Sequence, residues 1–357
     1  MTPGVPTTLA QVDAVWLSEV FGLPIESVDV TQLAVGSAFL GTVGRLQMSA
    51  PHSPNVPATA IVKLPATDPA ALAVGKLLKV WHREAMFYEQ LAPRLPSTIS
   101  VPRSYRTIIE PSSHRAAVLI EDMAPAAAGD QVKGASPEAA RAAVAALAGL
   151  HAPWWGMPRT AHLEWVPGID RPNTGAGLQG AMEASFERFA ARFAYLLEAE
   201  TIEWTRRFVP QVRDYLASMA RRPLTIAHAD FRLENMLFAP GDDSKVTIVD
   251  WQTAMYTGGA TDLSFFCTTS LDITTRRAME DELCDLYIDT LLQLGVEPSQ
   301  TAHVRDDYRS SMLWWMAMLA NNLADMATPD RRSVDLFEAM LTRLHTAALD
   351  HELGDLV

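Results

Sequence analysis

HADFRLENMLF (228–238), followed by VTIVDWQ (246–252), is the stretch on which the reading of this chain turns. His228, Asp230 and Asn235 form H-x-D-x-x-x-x-N, a pattern that the chain's own His, Asp and Asn content would produce about 0.008 times by chance. Asn235 enters a short apolar run, the polar turn APGDDSK (239–245) follows, and a second apolar run delivers Asp250 just beyond its end. The spacing predicts a hairpin that brings Asn235 and Asp250 together, two hard oxygen ligands of the kind magnesium takes. Asp230 then lies on the preceding loop, five residues before Asn235, as a proton acceptor for a hydroxyl nucleophile.

Upstream of that stretch the pattern is first mixed, then helical. Thr8 is expected to cap a helix whose Val12, Val15, Trp16, Val20 and Phe21 share one stripe and which ends at Gly22. Strand-like runs follow at 28–35, 42–48 and 58–64, the last two separated by the turn-rich APHSPNVP (50–57). One long helix is expected from about Pro69 to Leu91, and two further strands, 105–110 and 116–121, flank a PSSH turn. Ser136 and Pro137 open a helix in cap-then-proline order, running to about His151. A Trp-, Pro- and Gly-rich loop (152–177) leads to helical runs at 178–198 and 200–220, and the chain from 262 onward reads as helix.

Length and composition bound the function. At 357 residues, two domains or lobes are expected, with enough core to need no disulfide or metal staple. The net charge of −13 argues against a nucleic-acid or anionic-membrane partner. Only five lysines occur, Lys63, Lys76, Lys79, Lys133 and Lys245, so each draws inspection. Cys267 and Cys284 fit neither a metal spacing nor a disulfide framework and read as buried thiols. The N-terminus lacks a basic start before an apolar run, and no apolar stretch approaches the roughly 20 residues of a membrane span, so a cytoplasmic protein is expected. Neither H-E-x-x-H nor G-x-S-x-G occurs, which sets aside zincin and nucleophile-elbow hydrolases.

The sequence resembles the aminoglycoside phosphotransferase and choline kinase superfamily of the protein-kinase-like fold, with Asp-Trp-Gln where protein kinases carry Asp-Phe-Gly. Its phrases HADFRLENMLF, VDWQ, VLIEDM (118–123), LAGLHAPWW (147–155) and GGATDLSFF (258–266) look closest to ecdysteroid-kinase-like and bacterial phosphotransferase members. The resemblance implies an α+β, bilobal fold. Residues 1–122 would form an antiparallel-sheet N-lobe with a crossing helix. Residues 123–357 would form a mostly helical C-lobe holding the catalytic loop 228–235, the metal-binding 250–252 and an acceptor-binding insert at about 152–222.

The same resemblance assigns roles. Lys63, ending a strand, would contact the nucleotide phosphates, paired with Glu84 or, as fallback, Glu89. The loop 35–45 would cover the phosphates through Gly36, Ser37 and Gly41, with Ala38 in place of the middle glycine of G-x-G-x-x-G. The segment Glu121 to Met123 would read the adenine edge. Asp262 would buttress the catalytic loop rather than react. Arg232, between Asp230 and Asn235, would meet a phosphate or pair with an acid. Trp154, Trp155 and Trp314 would wall an acceptor pocket, with core packing as the plain alternative for each.

The implied activity is an ATP- and Mg2+-dependent transfer of the γ-phosphate to a hydroxyl of a small molecule. Among acceptors, a sterol-like or other hydroxylated metabolite is favoured slightly over an antibiotic of aminoglycoside, macrolide or nucleoside type. A pseudokinase scaffold is the rival from another class, opposed by the presence of Lys63, Asp230, Asn235 and Asp250. The stretch between Asp250 and Asp262 is too short for a protein-kinase activation loop and lacks A-P-E.

Overall fold

The computed structural model describes residues 3–33, 40–160, 163–171, 173–326, 328 and 330–357. The fold is α+β, divided into two compact units. Unit 1 comprises Met1–Arg94, Val101–Pro125 and Val249–Thr253; unit 2 comprises Leu95–Ser100, Ala126–Ile248 and Ala254–Val357. The main boundary falls after Pro125 rather than after residue 122, and two further details depart from a single cut. The five residues around Asp250 belong to the first unit, and Leu95–Ser100 belongs to the second. Both have local causes. Trp251 stacks on Phe87 in unit 1, while in unit 2 Ile248 N donates to Ser100 O and Ile99 fills the space that a side chain at Gly149 would need.

Unit 1 begins with α1 (Ala14–Phe21). Its cap is Asp13, whose carboxylate accepts from Trp16 N at 2.8 Å, and not Thr8, which precedes a separate 3-10 turn and makes no cap bond. Gly22 ends the helix at φ 66°, where a Cβ would be strained. Leu17 and Phe21 face the core, and Val15 points to solvent. Strands β1 (Ser27–Leu33), β2 (Gly41–Ser49), β3 (Thr59–Pro65), β4 (Ser104–Glu110) and β5 (Arg115–Ile120) make one antiparallel sheet in the order β1-β2-β3-β5-β4. Alternation along β3 buries Ala60, Val62 and Leu64 with Leu46, Leu119 and Leu17 on one face and turns Lys63 to the other.

The expected single helix over 69–91 is broken. Lys79 adopts φ 56°, ending α2 (Pro69–Leu78) and starting α3 (Val80–Met86), and the Phe87–Leu91 turn that follows is widened into a π-helical one. Trp81 explains the break, because its ring lies where a Cβ on Gly75 would sit, 2.3 Å from Cζ2.

Unit 2 places the small sheet β6-β8-β9 (Ala127–Ala128, Met236–Ala239, Asp242–Ile248) and the β7–β10 pair (Thr225–Ala227, Met255–Thr257) among helices. These are α4 (Pro137–His151), α5 (Thr174–Phe193), α6 (Ala199–Phe208), α7 (Val212–Met219), α8 (Ala260–Ser270), α9 (Ile273–Gln293), α10 (Pro298–Thr301), α11 (Val304–Leu323) and α12 (Arg331–Asp350). Ser136 caps α4 as expected, accepting from Ala139 N at 3.1 Å. Every residue of α8 is buried, making it the central helix of this unit. No helix among the described residues is long and apolar enough to cross a membrane.

One buried acid here makes stability depend on pH. Burial raises the carboxyl of Asp307, on α11, to about 6, against the opposing pull of its ion-pair partner Arg222. A carboxyl whose folded pKa is raised contributes stability while it is protonated, and that contribution is lost as pH climbs from about 4 through 6. Asp307→Asn is therefore expected to flatten the stability profile between pH 4 and 7 by on the order of 2 kcal/mol. Urea melts of both proteins at a series of pH values check this.

Candidate active site

In unit 1 the site is built on β3, α3 and the returning segment at 249–253. Lys63 Nζ lies 2.5 Å from Glu84 Oε1 and 3.1 Å from Asp250 Oδ1. Glu84, on α3 with its side chain almost wholly buried, also accepts from Gln252 Nε2 at 3.4 Å. Glu89, the fallback partner, instead accepts from Thr107 Oγ1. Burial acts to lower the pKa of Lys63, but the charges of Asp250 and Glu84 outweigh it and hold the ammonium well above the ordinary lysine value. Burial pushes the Glu84 carboxyl up, and Lys63 opposes that push.

Asp250 takes φ 68°, so its side chain leaves the strand direction of β9, and Trp251 beside it stacks on Phe87 with ring centroids 3.7 Å apart. That stack joins the metal-ligand candidate to the helix carrying Glu84. Glu84→Gln keeps the shape and one acceptor but removes the charge on Lys63's closer partner. It is expected to lose about 2 kcal/mol of stability, read by urea unfolding.

Gly36 and Ser37 lie outside the described residues. Gly41 opens β2 under close approach, because a Cβ there would sit 3.1 Å from Leu64 O. Beside it Trp81 Nε1 donates to Leu40 O at 2.6 Å. At the other end of the sheet, Glu121 N donates to Arg103 O at 2.8 Å, so this N–H is committed within the protein. Asp122 pairs with Arg45 at 2.9 Å, and Met123 stands half-buried in the turn beyond β5.

In unit 2 the loop after β7 carries the remaining candidates. Ala229 is held at φ 60°, a backbone region that an alanine enters only when its surroundings enforce it. The enforcing group is Asp262 on α8. Wholly buried, it accepts from His228 N at 2.6 Å and Ala229 N at 2.9 Å. Asp230 follows. Its carboxylate is bracketed by Arg232 Nε on Oδ1 at 3.1 Å and Asn235 Nδ2 on Oδ2 at 2.9 Å. Asn235 Nδ2 also reaches Asp230 O at 2.9 Å, so the amide nitrogen is engaged and the oxygen is turned elsewhere. Of the two options for Arg232, the structure has it paired with acids, Asp230 and Glu234. Met236 pairs with Ile248, which puts Asn235 just before the open end of the β8–β9 hairpin and Asp250 two residues after it.

Residues that the sequence did not single out stand behind this loop. His151 Nε2 lies 3.3 Å from Asp262 Oδ2, and its Nδ1 lies 2.6 Å from Tyr287 Oη, with all three side chains buried. Gly259 makes room for them, since a Cβ there would fall 2.4 Å from Tyr287 Oη. His151 sits inside the phrase LAGLHAPWW, but nothing in that phrase points to a partner more than a hundred residues away.

Trp155 and Trp314 are 8% and 6% exposed, which assigns them to the core: Trp155 lies edge-on to Tyr287, and Trp314 is on the buried side of α11. Trp154 is half-buried in the turn after α4.

Comparison with known proteins bears on the fold and the family. Three solved structures share the fold at 12% identity. Plasmodium vivax ethanolamine kinase has a TM-score of 0.55, covering 90% of this chain and 81% of that one. Amicoumacin kinase hAmiN in complex with AMP-PNP, Ca2+ and Ami scores 0.52, covering 92% and 88%. The gentamicin complex of APH(2")-IIa scores 0.51, covering 94% and 93%. No curated protein matches the chain. The sequence profile of the ecdysteroid kinase-like family matches residues 35–295, a span that takes in β2, the Lys63 strand, the loop at 228–235 and Asp262. By that match the chain belongs to the ecdysteroid kinase-like family.

Proposed function

We propose that this protein is a small-molecule kinase that transfers the γ-phosphate of ATP, with Mg2+, to a hydroxyl group. The observation that carries the reading is the mostly buried ammonium of Lys63 held between Glu84 and Asp250. The carboxylate of Asp250 suits a divalent cation, and the ammonium of Lys63 suits the phosphates that such a cation would accompany. The names of the structural neighbours, an ethanolamine kinase and an amicoumacin kinase among them, support a small molecule as acceptor.

The donor chemistry fits a magnesium nucleotide. Asp250 offers a partly exposed carboxylate, and Asn235 offers an amide oxygen because its nitrogen is committed to Asp230. Carboxylate and amide oxygens completed by substrate phosphates are what magnesium prefers. When bound, the metal would neutralise charge on the phosphates. Lys63 binds and orients the phosphates, while Glu84 holds Lys63. Unit 1 is thus given the nucleotide, with Gly41 and the Glu121–Met123 turn as its other contacts. In unit 2, Asp230 accepts the proton of the acceptor hydroxyl as its oxygen attacks phosphorus and ADP leaves. Arg232 and Asn235 keep the Asp230 carboxylate in one orientation, so the loop meets its acceptor preorganised.

Magnesium-dependent ADP release across aminoglycosides, macrolides, nucleoside antibiotics, choline, ethanolamine, sugars and sterols, with Asp230→Asn as control, tests the reading and names the acceptor class. Turnover that survives in the control, or wild-type protein that fails to bind nucleotide, rejects it.

A further inference from the structure

The loop at 228–235 ends in a tight 3-10 turn, Leu233–Asn235, and such a turn opens with backbone N–H groups that nothing inside it satisfies. A side-chain acceptor on the residue just before usually takes one of them. Here that residue is Arg232, whose guanidinium only donates, and it makes no cap bond. The acceptor comes from 102 residues upstream, where Gln131 Oε1 takes Leu233 N–H at 2.9 Å.

Gln131 is wholly buried, and both ends of its amide are engaged. Oε1 also accepts from Ser270 Oγ at 3.2 Å, and Nε2 donates to Thr269 O at 2.9 Å. Its backbone is fixed in turn by Arg343, which donates to Gln131 O at 2.6 Å, Thr269 O at 3.0 Å and Val132 O at 2.7 Å. The residues before it strap the same loop. Gly129 N donates to Met236 O at 3.0 Å, Ala127 and Ala128 pair with Phe238 and Leu237, and a Cβ on Gly129 would lie 2.9 Å from Leu233 Cδ2.

We propose that Gln131 is a positioning residue for phosphoryl transfer, capping the Leu233–Asn235 turn from outside the loop. It thereby sets where Asn235 lies and, through Asn235 Nδ2, how the Asp230 carboxylate is held. The role in turnover rests on the kinase reading above; the cap itself does not.

Gln131→Met keeps the side chain's length and removes both polar ends. It is expected to lower kcat about 10- to 100-fold by loosening the reacting groups, with KM for ATP within about threefold of wild type. Amide exchange should rise in peptides covering 229–238 and stay unchanged in the sheet of unit 1. Gln131→Glu retains an acceptor for Leu233 N–H while losing the amide donor to Thr269 O, and should restore both protection at 229–238 and most of kcat.

A Met variant with wild-type kcat and wild-type exchange overturns the proposal. A Glu variant as slow as the Met variant overturns it too, because the effect would then come from Thr269 and general packing. If the Met variant does not fold, the Glu variant carries the test alone, and an exposed 229–238 segment in it rejects the cap. If wild-type protein binds nucleotide but phosphorylates no acceptor, the kinase reading fails, while exchange at 229–238 still decides whether Gln131 holds the turn.

Discussion

Asp230→Asn is expected to lower kcat by about 10³-fold, within the range that a positioned proton acceptor contributes, and to leave nucleotide affinity nearly unchanged. The asparagine keeps an oxygen for Arg232 or Asn235 but has no basic site for the hydroxyl proton. Lys63, Glu84 and Asp250 are untouched by the change, so binding of a nucleotide analogue should persist. Calorimetric titration with a non-hydrolysable ATP analogue, run beside the ADP-release assay, separates the two effects. A parallel loss of affinity and turnover would mean that Asp230 works on the nucleotide rather than on the acceptor.

Asp262→Ala is expected to cost about 3–5 kcal/mol of stability, the largest effect of any single change away from the reacting groups. The wholly buried carboxylate accepts the N–H groups of His228 and Ala229 and faces His151. Alanine would leave two backbone donors and one ring nitrogen without that acceptor, each lost bond in a buried setting costing about 1–3 kcal/mol. The left-handed geometry of Ala229 would also lose what enforces it. Asp262→Asn, with one acceptor oxygen remaining, should fall between the two. Urea denaturation gives the order, and an alanine variant within about 1 kcal/mol of wild type would show that Asp262 does not clamp the loop.

Much of this arrangement was legible before any coordinates. Period-two burial in 58–64, the continuous apolar run at 116–121 and the turn chemistry at PSSH carry strand signals that survive tertiary context. The family resemblance points to Glu84, helical spacing turns Glu89 elsewhere, and Lys63 lies 2.5 Å from Glu84. What escaped had non-local causes. A lysine at φ 56° has no signature in its own residue type, and the break at Lys79 follows from where Trp81 packs on Gly75. Gln131 looks like any loop glutamine until the fold brings Leu233 to it. Aromatic content alone does not separate a pocket wall from a core; burial puts Trp155 and Trp314 with the core-packing alternative.

Unit 1 is discontinuous in the chain, and this shapes the order in which it can be made. A ribosome that has released residues 1–125 has supplied the whole five-stranded sheet and α3 but neither Trp251 to cover Phe87 nor Asp250 to face Lys63. At about 5–20 residues per second, those partners arrive on the order of ten seconds later. During that interval the nascent sheet presents a bare aromatic ring and an ammonium with one of its two carboxylates missing. The finished unit therefore needs the chain through Thr253, and a fragment ending at residue 125 would be an incomplete domain, prone to aggregation through the surface that 249–253 normally closes.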